Sequence, residues 1–158
     1  MADEPDYTLA VEGALRGADS QTAQIGAVRA YAGTVLGAGG VSSVASGVAI
    51  GGGSLVSQIV GVIALLAFGA VVMCSFQVLR PRDLIPGPNP ATLANWADTA
   101  GMTGARMRNQ LARDFGEAYE ENGKVVTKMY VWFWRGLIAL VVELAAVAAA
   151  FAVRGFDA

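Results

Sequence analysis

The chain has 158 residues, 11 of them basic and 13 acidic, with a net charge of −2, no histidine and a single cysteine. This inventory argues against His-based acid–base catalysis, a thiol–imidazole pair, a zinc site and an intrachain disulfide. No basic patch of the strength typical of nucleic-acid-binding proteins is present. We therefore expect a protein that is not an enzyme, binds no nucleic acid and has no catalytic residue, metal or tightly bound cofactor.

Residues 1–29 are predicted to form a partly helical N-terminal segment, and an uncharged run of fifty residues follows from Ala30 to Leu79. A helix needs about 20 apolar residues to cross the roughly 30 Å hydrocarbon core of a bilayer, so this run is long enough for two crossings. The cluster Gly51-Gly52-Gly53-Ser54 lies near its middle and is typical of a turn. Residues 30–79 are therefore predicted to be a transmembrane helical hairpin, with spans at about Ala30–Ile50 and Gln58–Leu79.

The two halves of this hairpin differ in composition. The second is rich in Ile, Val, Leu and Phe and is expected to insert on hydropathy alone, whereas the first is mostly Gly, Ala, Ser and Thr and is expected to insert together with its partner. Small residues recur every four positions in the first half, which places them on one helix face where another backbone can approach closely. This stripe either packs the hairpin or lines a subunit interface or pore, and it comprises Gly39, Ser43, Gly47 and Gly51.

Residues 80–129 form the predicted cytoplasmic connection. They contain seven of the eleven basic residues, which places them in the cytoplasm by the positive-inside rule. Four prolines in residues 80–90 end the second span and keep the chain extended. The basic side chains are expected to act as topology anchors at the headgroups or to contact a ligand phosphate. The candidates are Arg80, Arg82, Arg106, Arg108 and Arg113.

An amphipathic helix is predicted within this connection, from Thr103 to Asn122. Its apolar stripe contains Met107, Leu111 and Phe115, and we expect it to dock against the N-terminal segment or a second subunit. Asn122-Gly123 is predicted to interrupt the helix, as a hinge or as a kink without function.

A third crossing is predicted within residues 130–158. Val131–Val153 is 23 residues long, about 34 Å as a helix, and Trp132, Trp134 and Arg135 near its start suit the headgroup level. The fold class is therefore an all-α integral membrane protein with three transmembrane helices and an amphipathic cytoplasmic helix. With the connection inside, the N-terminus is also cytoplasmic and the C-terminal tail is outside.

Glu143 lies close to the middle of this third span. A carboxylate at the bilayer centre is costly, by about 2.5 to 3.5 kcal/mol on insertion scales, so Glu143 should face protein or water. At about 100° per residue its face is made mainly of small residues, whereas Trp134, Ile138 and Val141 lie opposite. Glu143 is either protonated and hydrogen-bonded within the bundle or exposed to a water-filled path in an oligomer. The candidate partners are a backbone carbonyl and the hydroxyls of Ser42, Ser43 and Ser46.

Three short motifs suggest a family. They are Ala18-Asp19-Ser20-Gln21-Thr22 before the first span, Leu79-Arg80-Pro81-Arg82 after the second, and Tyr119-Glu120-Glu121-Asn122 with Lys128-Met129-Tyr130 before the third. Together with the order of elements, they make the chain resemble the small transmembrane effectors of Pycsar anti-phage defence and the related SLATT-type effectors. Gln21 stands where a Lys is expected in the first motif.

The resemblance implies an effector that responds to a cyclic pyrimidine nucleotide made by a partner nucleotidyl cyclase. It then impairs the inner membrane and kills the infected cell, acting in the lipid bilayer as a homo-oligomer. Two alternatives from other classes remain open. One is a constitutive, holin-like pore-forming protein, and the other is a structural or scaffolding membrane protein.

Overall fold

The computed structural model describes residues 8–50, 54–85, 90–99 and 102–156, and within them every regular secondary-structure element is an α-helix. The helices in chain order are α1 (Thr8–Ile50), α2 (Leu55–Leu79), α3 (Pro90–Ala97) and α4 (Gly104–Phe156). The all-α prediction is confirmed for this part of the chain. Ser54 is the N-cap residue of α2, and this helix begins three residues before the predicted start of the second span at Gln58.

Two of the helices are much longer than a single membrane crossing. α1 has 43 residues and α4 has 53, and α1 continues past Arg29, where the N-terminal segment was expected to end. α4 also continues through Asn122 and Gly123, so the predicted interruption there is wrong. A glycine inside a helix costs only about 1 kcal/mol relative to alanine, and the long helical stretches on both sides of Gly123 offset that cost.

Two helices are long and apolar enough to cross a membrane, α2 (Leu55–Leu79) and the Gly104–Val153 part of α4. At 1.5 Å per residue the whole of α4 is about 80 Å long, so only its apolar C-terminal part fits a hydrocarbon core of roughly 30 Å. α1 does not meet the same criterion of length and hydropathy. The predicted first span, at Ala30–Ile50, and with it a total of three crossings, is therefore not confirmed and stays a prediction.

The apolar surfaces of α2 and α4 are those of helices in lipid. Only 28% and 22% of their most apolar 18-residue windows are buried, whereas the core helix of a water-soluble protein is mostly buried. Contiguous apolar surface of this kind is rare on soluble monomers, and lipid accommodates it without cost. The exposed side chains include Leu55, Ile59, Leu66, Met73 and Phe76 on α2 and Trp134, Ile138, Val141, Leu144 and Phe151 on α4.

The chain divides into two compact units, to which α1 and α4 both contribute. Unit 1 is Met1–Gly26 with Arg82–Thr127, and unit 2 is Ala27–Pro81 with Lys128–Ala158. In unit 2 a core of Val35, Val71 and Leu140 joins one side chain from each of α1, α2 and α4. Phe133, Leu137 and Ala139 pack against it.

The predicted two-faced character of the third span is confirmed. Gly136, Leu140, Glu143 and Ala150 are buried, and Trp134, Ile138 and Val141 on the other face are each more than half exposed. Near the start of the span, Arg135 lies over the ring of Trp132 with 5.0 Å between the guanidinium carbon and the ring centroid. A cation–π pair of this type is typical of an interfacial anchor.

Candidate functional site

Glu143 in unit 2 is fully buried, with none of its surface exposed. The nearest polar side chain is Ser42 of α1, whose hydroxyl forms a hydrogen bond with Glu143 Oε1. The other carboxyl oxygen, Oε2, is also buried, and no described group forms a hydrogen bond with it. The structure thus places the predicted intramembrane carboxyl against the Gly/Ser-rich part of α1.

Only one of the three predicted serine partners reaches Glu143. The Ser43 hydroxyl donates to the carbonyl of Gly40 at 2.8 Å, and the buried Ser46 hydroxyl donates to the carbonyl of Ser42 at 3.2 Å. Serine hydroxyls in helices commonly bond to carbonyls three or four residues earlier in this way. Ser42 therefore belongs to the carboxyl site, and Ser43 and Ser46 satisfy their own helix.

The small-residue stripe of α1 is divided between two environments. A Cβ atom added at Gly39 would lie 3.2 Å from Glu143 Oε2 and 3.2 Å from a ring atom of Phe68, so this glycine allows close packing inside the bundle. A Cβ added at Gly47 would meet nothing within 4 Å, and Ser43 is half-buried. Gly51 lies outside the described residues. Of the two described glycines in the stripe, only Gly39 lies close to side chains of other helices, and the role of the stripe as a whole stays a prediction.

Unit 1 contains a second polar contact between α1 and α4. Gln21 is 7% exposed, and its Nε2 donates to the backbone carbonyl of Tyr119 at 2.8 Å. A Cβ added at Gly123 would lie 3.7 Å from the same Nε2 atom. The glycine that was expected to break the helix thus lies beside the Gln21 amide, where a longer side chain would crowd it.

The segment after α2 is held in unit 1 by a pair of hydrogen bonds with Asn122. The backbone N–H of Ile85 donates to Asn122 Oδ1 at 3.0 Å, and Asn122 Nδ2 donates to the backbone carbonyl of Ile85 at 3.1 Å. A side-chain amide presents the same donor and acceptor as a peptide group. Asn122 therefore holds the extended, proline-rich segment as a neighbouring strand would.

A cavity of about 240 Å³ lies between these contacts. It brings together residues from the first and third family-like motifs and from the segment that follows the second, which are far apart in the sequence. The cavity has a mixed polar and apolar lining of Ala18, Gln21, Thr22, Ile25, Leu84, Ile85 and Asn122. We call it the unit 1 cavity.

None of the five candidate arginines, all within the described part of the chain, lines the unit 1 cavity. Arg80, Arg106 and Arg113 are exposed, and Arg82 and Arg108 are half-buried. Arg82 belongs to unit 1 and is three residues from Ile85 in the sequence. A role in binding phosphate stays a prediction for these side chains.

Phe115, the last residue of the apolar stripe of the amphipathic helix, lies beside the N-terminal part of α1, which agrees with the predicted docking against the N-terminal segment. Phe115, Gly116 and Tyr119 of α4 line a cleft of about 300 Å³ with Gly13 and Gly17 of α1. A Cβ added at Gly17 would lie 3.1 Å from the Tyr119 ring. This cleft is part of unit 1 and is mainly apolar, which suits packing better than recognition of a charged ligand.

Sequence reasoning missed the polar contacts of unit 1. Asn122 was taken as a helix breaker, and Ile85 was taken only as part of a proline-rich connection. The one available signal was that Gln21 and Asn122 both lie in the family-like motifs. Their partners are 98 and 37 residues away in the sequence, so no local pattern identifies them.

Comparison with known families gives a match over nearly the whole chain. The Pycsar effector protein domain, PycTM, matches residues 10–154. Neither the curated proteins nor the solved structures contain a significant match. The matched range includes all of α2 and α3, the apolar Gly104–Val153 part of α4, the unit 1 cavity and Glu143. The chain therefore belongs to the Pycsar effector family and is a membrane effector of antiviral defence.

Proposed function

We propose that the effector is gated by a cyclic pyrimidine nucleotide, which binds in unit 1 and causes unit 2 to impair the integrity of the bacterial inner membrane. A partner nucleotidyl cyclase supplies the nucleotide during phage infection, and loss of membrane integrity kills the infected cell. The observation that carries the proposal is the unit 1 cavity, because it unites residues of the first and third family-like motifs with the segment that follows the second motif. In this proposal the N-terminus and residues 80–129 are cytoplasmic.

The contact between Asn122 and Ile85 supports a nucleobase as the part of the signal that binds, and the choice of a pyrimidine comes from the family resemblance. The Asn122 amide exchanges two hydrogen bonds with the Ile85 peptide, one as donor and one as acceptor. The edge of uracil or cytosine also carries a donor beside an acceptor, so it can replace the peptide on the same amide. Binding would then release the segment between α2 and α3 from α4.

The size of the cavity limits what it can hold. Ligand pockets are typically about 300 to 1,000 Å³, and the unit 1 cavity at about 240 Å³ is slightly smaller. A cavity of this size suits the base, while the ribose and phosphate extend towards solvent. Arg82 is the nearest arginine in the sequence to the cavity residues Leu84 and Ile85, and we assign it the phosphate.

Both long helices offer a route from the ligand to the membrane. α1 and α4 pass from unit 1 into unit 2 without a break. In α1, 21 residues separate Gln21 from Ser42, and in α4 the same number separate Asn122 from Glu143. In this proposal, binding at the cavity acts on unit 2 through one of these two continuous helices.

The test is a leakage assay on the purified full chain in liposomes loaded with dye. Addition of a cyclic pyrimidine nucleotide should release the dye, and cyclic purine nucleotides should not. Asn122→Ala should abolish the response, whereas Asn109→Ala, a matched change at another half-buried asparagine of α4, should leave it intact. Absence of leakage with every cyclic nucleotide tested would refute the proposal.

One observation favours the constitutive pore as a second candidate. A Cβ added at Gly33, Gly37, Gly40 or Gly47 would meet nothing within 4 Å, so α1 retains a small-residue surface that another helix could approach. A constitutive pore would release dye, and depolarise cells on expression, without any nucleotide. Liposomes that stay sealed until nucleotide is added would exclude this candidate.

A further inference from the structure

The hydrogen bonds around Glu143 do not balance if its carboxyl is ionised. The Ser42 hydroxyl has one proton, yet two acceptors lie within its reach, the Gly39 carbonyl at 3.0 Å and Glu143 Oε1. If the proton points to a carboxylate, the Gly39 carbonyl keeps only its backbone hydrogen bond within α1, so the main cost falls on Glu143 itself. Oε2, which is buried without a described partner, would then also carry negative charge in an apolar interior.

The same groups balance if Glu143 carries a proton on Oε1. The Oε1–H group donates to the Ser42 oxygen, and the Ser42 hydroxyl donates to the Gly39 carbonyl, so each proton has one acceptor. Oε2 is then a neutral carbonyl oxygen, and its burial costs far less than that of an ionised oxygen. The order of donors runs from Glu143 through Ser42 to Gly39.

No described basic side chain contacts Glu143. α2 and the part of α1 from Ala30 onwards contain no Asp, Glu, Lys or Arg, and their ionisable side chains are Tyr31 and Cys74. These two lie beside other parts of α4. The ring centroids of Tyr31 and Phe133 are 6.4 Å apart, and Cys74 Cβ is 3.2 Å from a Cβ added at Gly136.

The charged residues of α4 itself are also distant from Glu143. Gly136 precedes Glu143 by seven residues, about 10.5 Å along the helix, and Arg135 lies one residue further away over the ring of Trp132. Arg154 follows eleven residues after Glu143. Among the described residues, no positively charged side chain therefore lies close enough to Glu143 to compensate the charge of an ionised carboxyl.

We propose that Glu143, Ser42 and the Gly39 carbonyl form a proton-binding site inside unit 2, and that Glu143 is occupied by a proton in the resting chain. The proton comes from water and returns to water when the helices separate enough to hydrate the carboxyl. The site does not depend on recognition of a cyclic nucleotide, because none of its three groups belongs to unit 1.

The first test is infrared spectroscopy of the full chain in liposomes near neutral pH without nucleotide. The difference spectrum between wild type and Glu143→Gln should contain the carbonyl band of a protonated carboxyl, shifted on exchange into heavy water. Ser42→Ala should move this band because it removes the acceptor, and Ser46→Ala, one turn further along α1, should leave it unchanged. Carboxylate bands in place of the acid band would overturn the proposal.

The second test is labelling with dicyclohexylcarbodiimide, an apolar reagent that reacts with protonated carboxyls. The carboxyl proton moves to one nitrogen of the reagent and the carboxyl oxygen bonds to its central carbon, so the adduct contains both molecules without loss. Intact mass should show one adduct per chain that maps to Glu143, is absent in Glu143→Gln and persists in Glu120→Gln, an exposed carboxylate. An adduct that maps to another carboxyl would overturn the proposal. Where no adduct forms, the infrared band decides, because Glu143 is fully buried and the reagent must first reach it.

Both measurements use the resting chain, so their outcome is separate from that of the leakage assay. A chain that fails to leak but shows the acid band and the adduct would refute nucleotide gating and retain the proton site. A chain that leaks on addition of nucleotide but has an ionised Glu143 would refute the proton site and retain nucleotide gating.

Discussion

Gly39 is the position where a single added methyl group best tests the packing of unit 2. In Gly39→Ala the new Cβ would lie 3.2 Å from both Glu143 Oε2 and the Phe68 ring. Glu143 is fully buried and held by Ser42, so it has little room to move. Overpacking of this kind costs about 1 to 3 kcal/mol. The gain of about 1 kcal/mol from replacing glycine in a helix offsets part of it, which leaves a net loss of roughly 0 to 2 kcal/mol.

Gly37→Ala is the matched control, since Gly37 lies on the same helix and an added Cβ there meets nothing within 4 Å. It should stabilise the chain by about 1 kcal/mol through helix propensity alone. The propensity term cancels between the two variants, so their difference of about 1 to 3 kcal/mol measures the packing term. Unfolding of the full chain in mixed detergent micelles gives both values. Equal changes in the free energy of unfolding would refute the packing around Gly39.

Two further predictions concern unit 1. Gly17→Ala should raise the free energy of unfolding by up to about 1 kcal/mol, much like Gly37→Ala, although its Cβ would lie only 3.1 Å from the Tyr119 ring, because that ring is half exposed and can rotate away. A net loss in this variant would contradict the reasoning. The hydrogen bond with Glu121 raises the pKa of Lys124. The small stabilisation from this pair is therefore present below the ordinary lysine pKa and is lost as the pH rises through the raised pKa. Glu121→Gln should return the pKa of Lys124 towards its ordinary range, as measured by NMR titration, without a detectable change in stability because the pair is exposed.

The sequence was most informative where the helical repeat of small residues and the energetic cost of a carboxyl in an apolar span point to the same residue. Glu143 was identified because a carboxyl in an apolar span is expensive, and its face followed from the helical repeat, which the burial of Gly136 and Leu140 confirms. The choice among Ser42, Ser43 and Ser46 could not be made from the sequence. Each serine had a backbone alternative, and only the register of α1 against α4 decides which hydroxyl reaches the carboxyl.

The two continuous helices could not be predicted for a different reason. Arg29 and Asn122-Gly123 are weak local signals of an end, and tertiary contacts override them. The Gln21 amide, which bonds to the Tyr119 carbonyl, packs beside Gly123 and supports α4 where propensity alone is poor. Helix propensity describes an isolated segment, and most helical stability in a folded chain comes from packing of this kind.

The weak hydropathy of the first span predicts that its insertion depends on α2. Cysteine labelling at Ser54→Cys, in a chain without the native cysteine, should detect this residue from outside the cell if residues 30–50 cross the membrane. Leu66 and Ile138 are 71% and 61% exposed on the two apolar helices, and a lysine at either should hinder insertion of its own helix by about 3 kcal/mol. If α1 inserts only as a hairpin, Leu66→Lys should abolish outside labelling and Ile138→Lys should preserve it. Labelling that survives in Leu66→Lys would mean that α1 crosses the membrane without α2. The small residues of α1 would then have to face lipid and not a neighbouring helix.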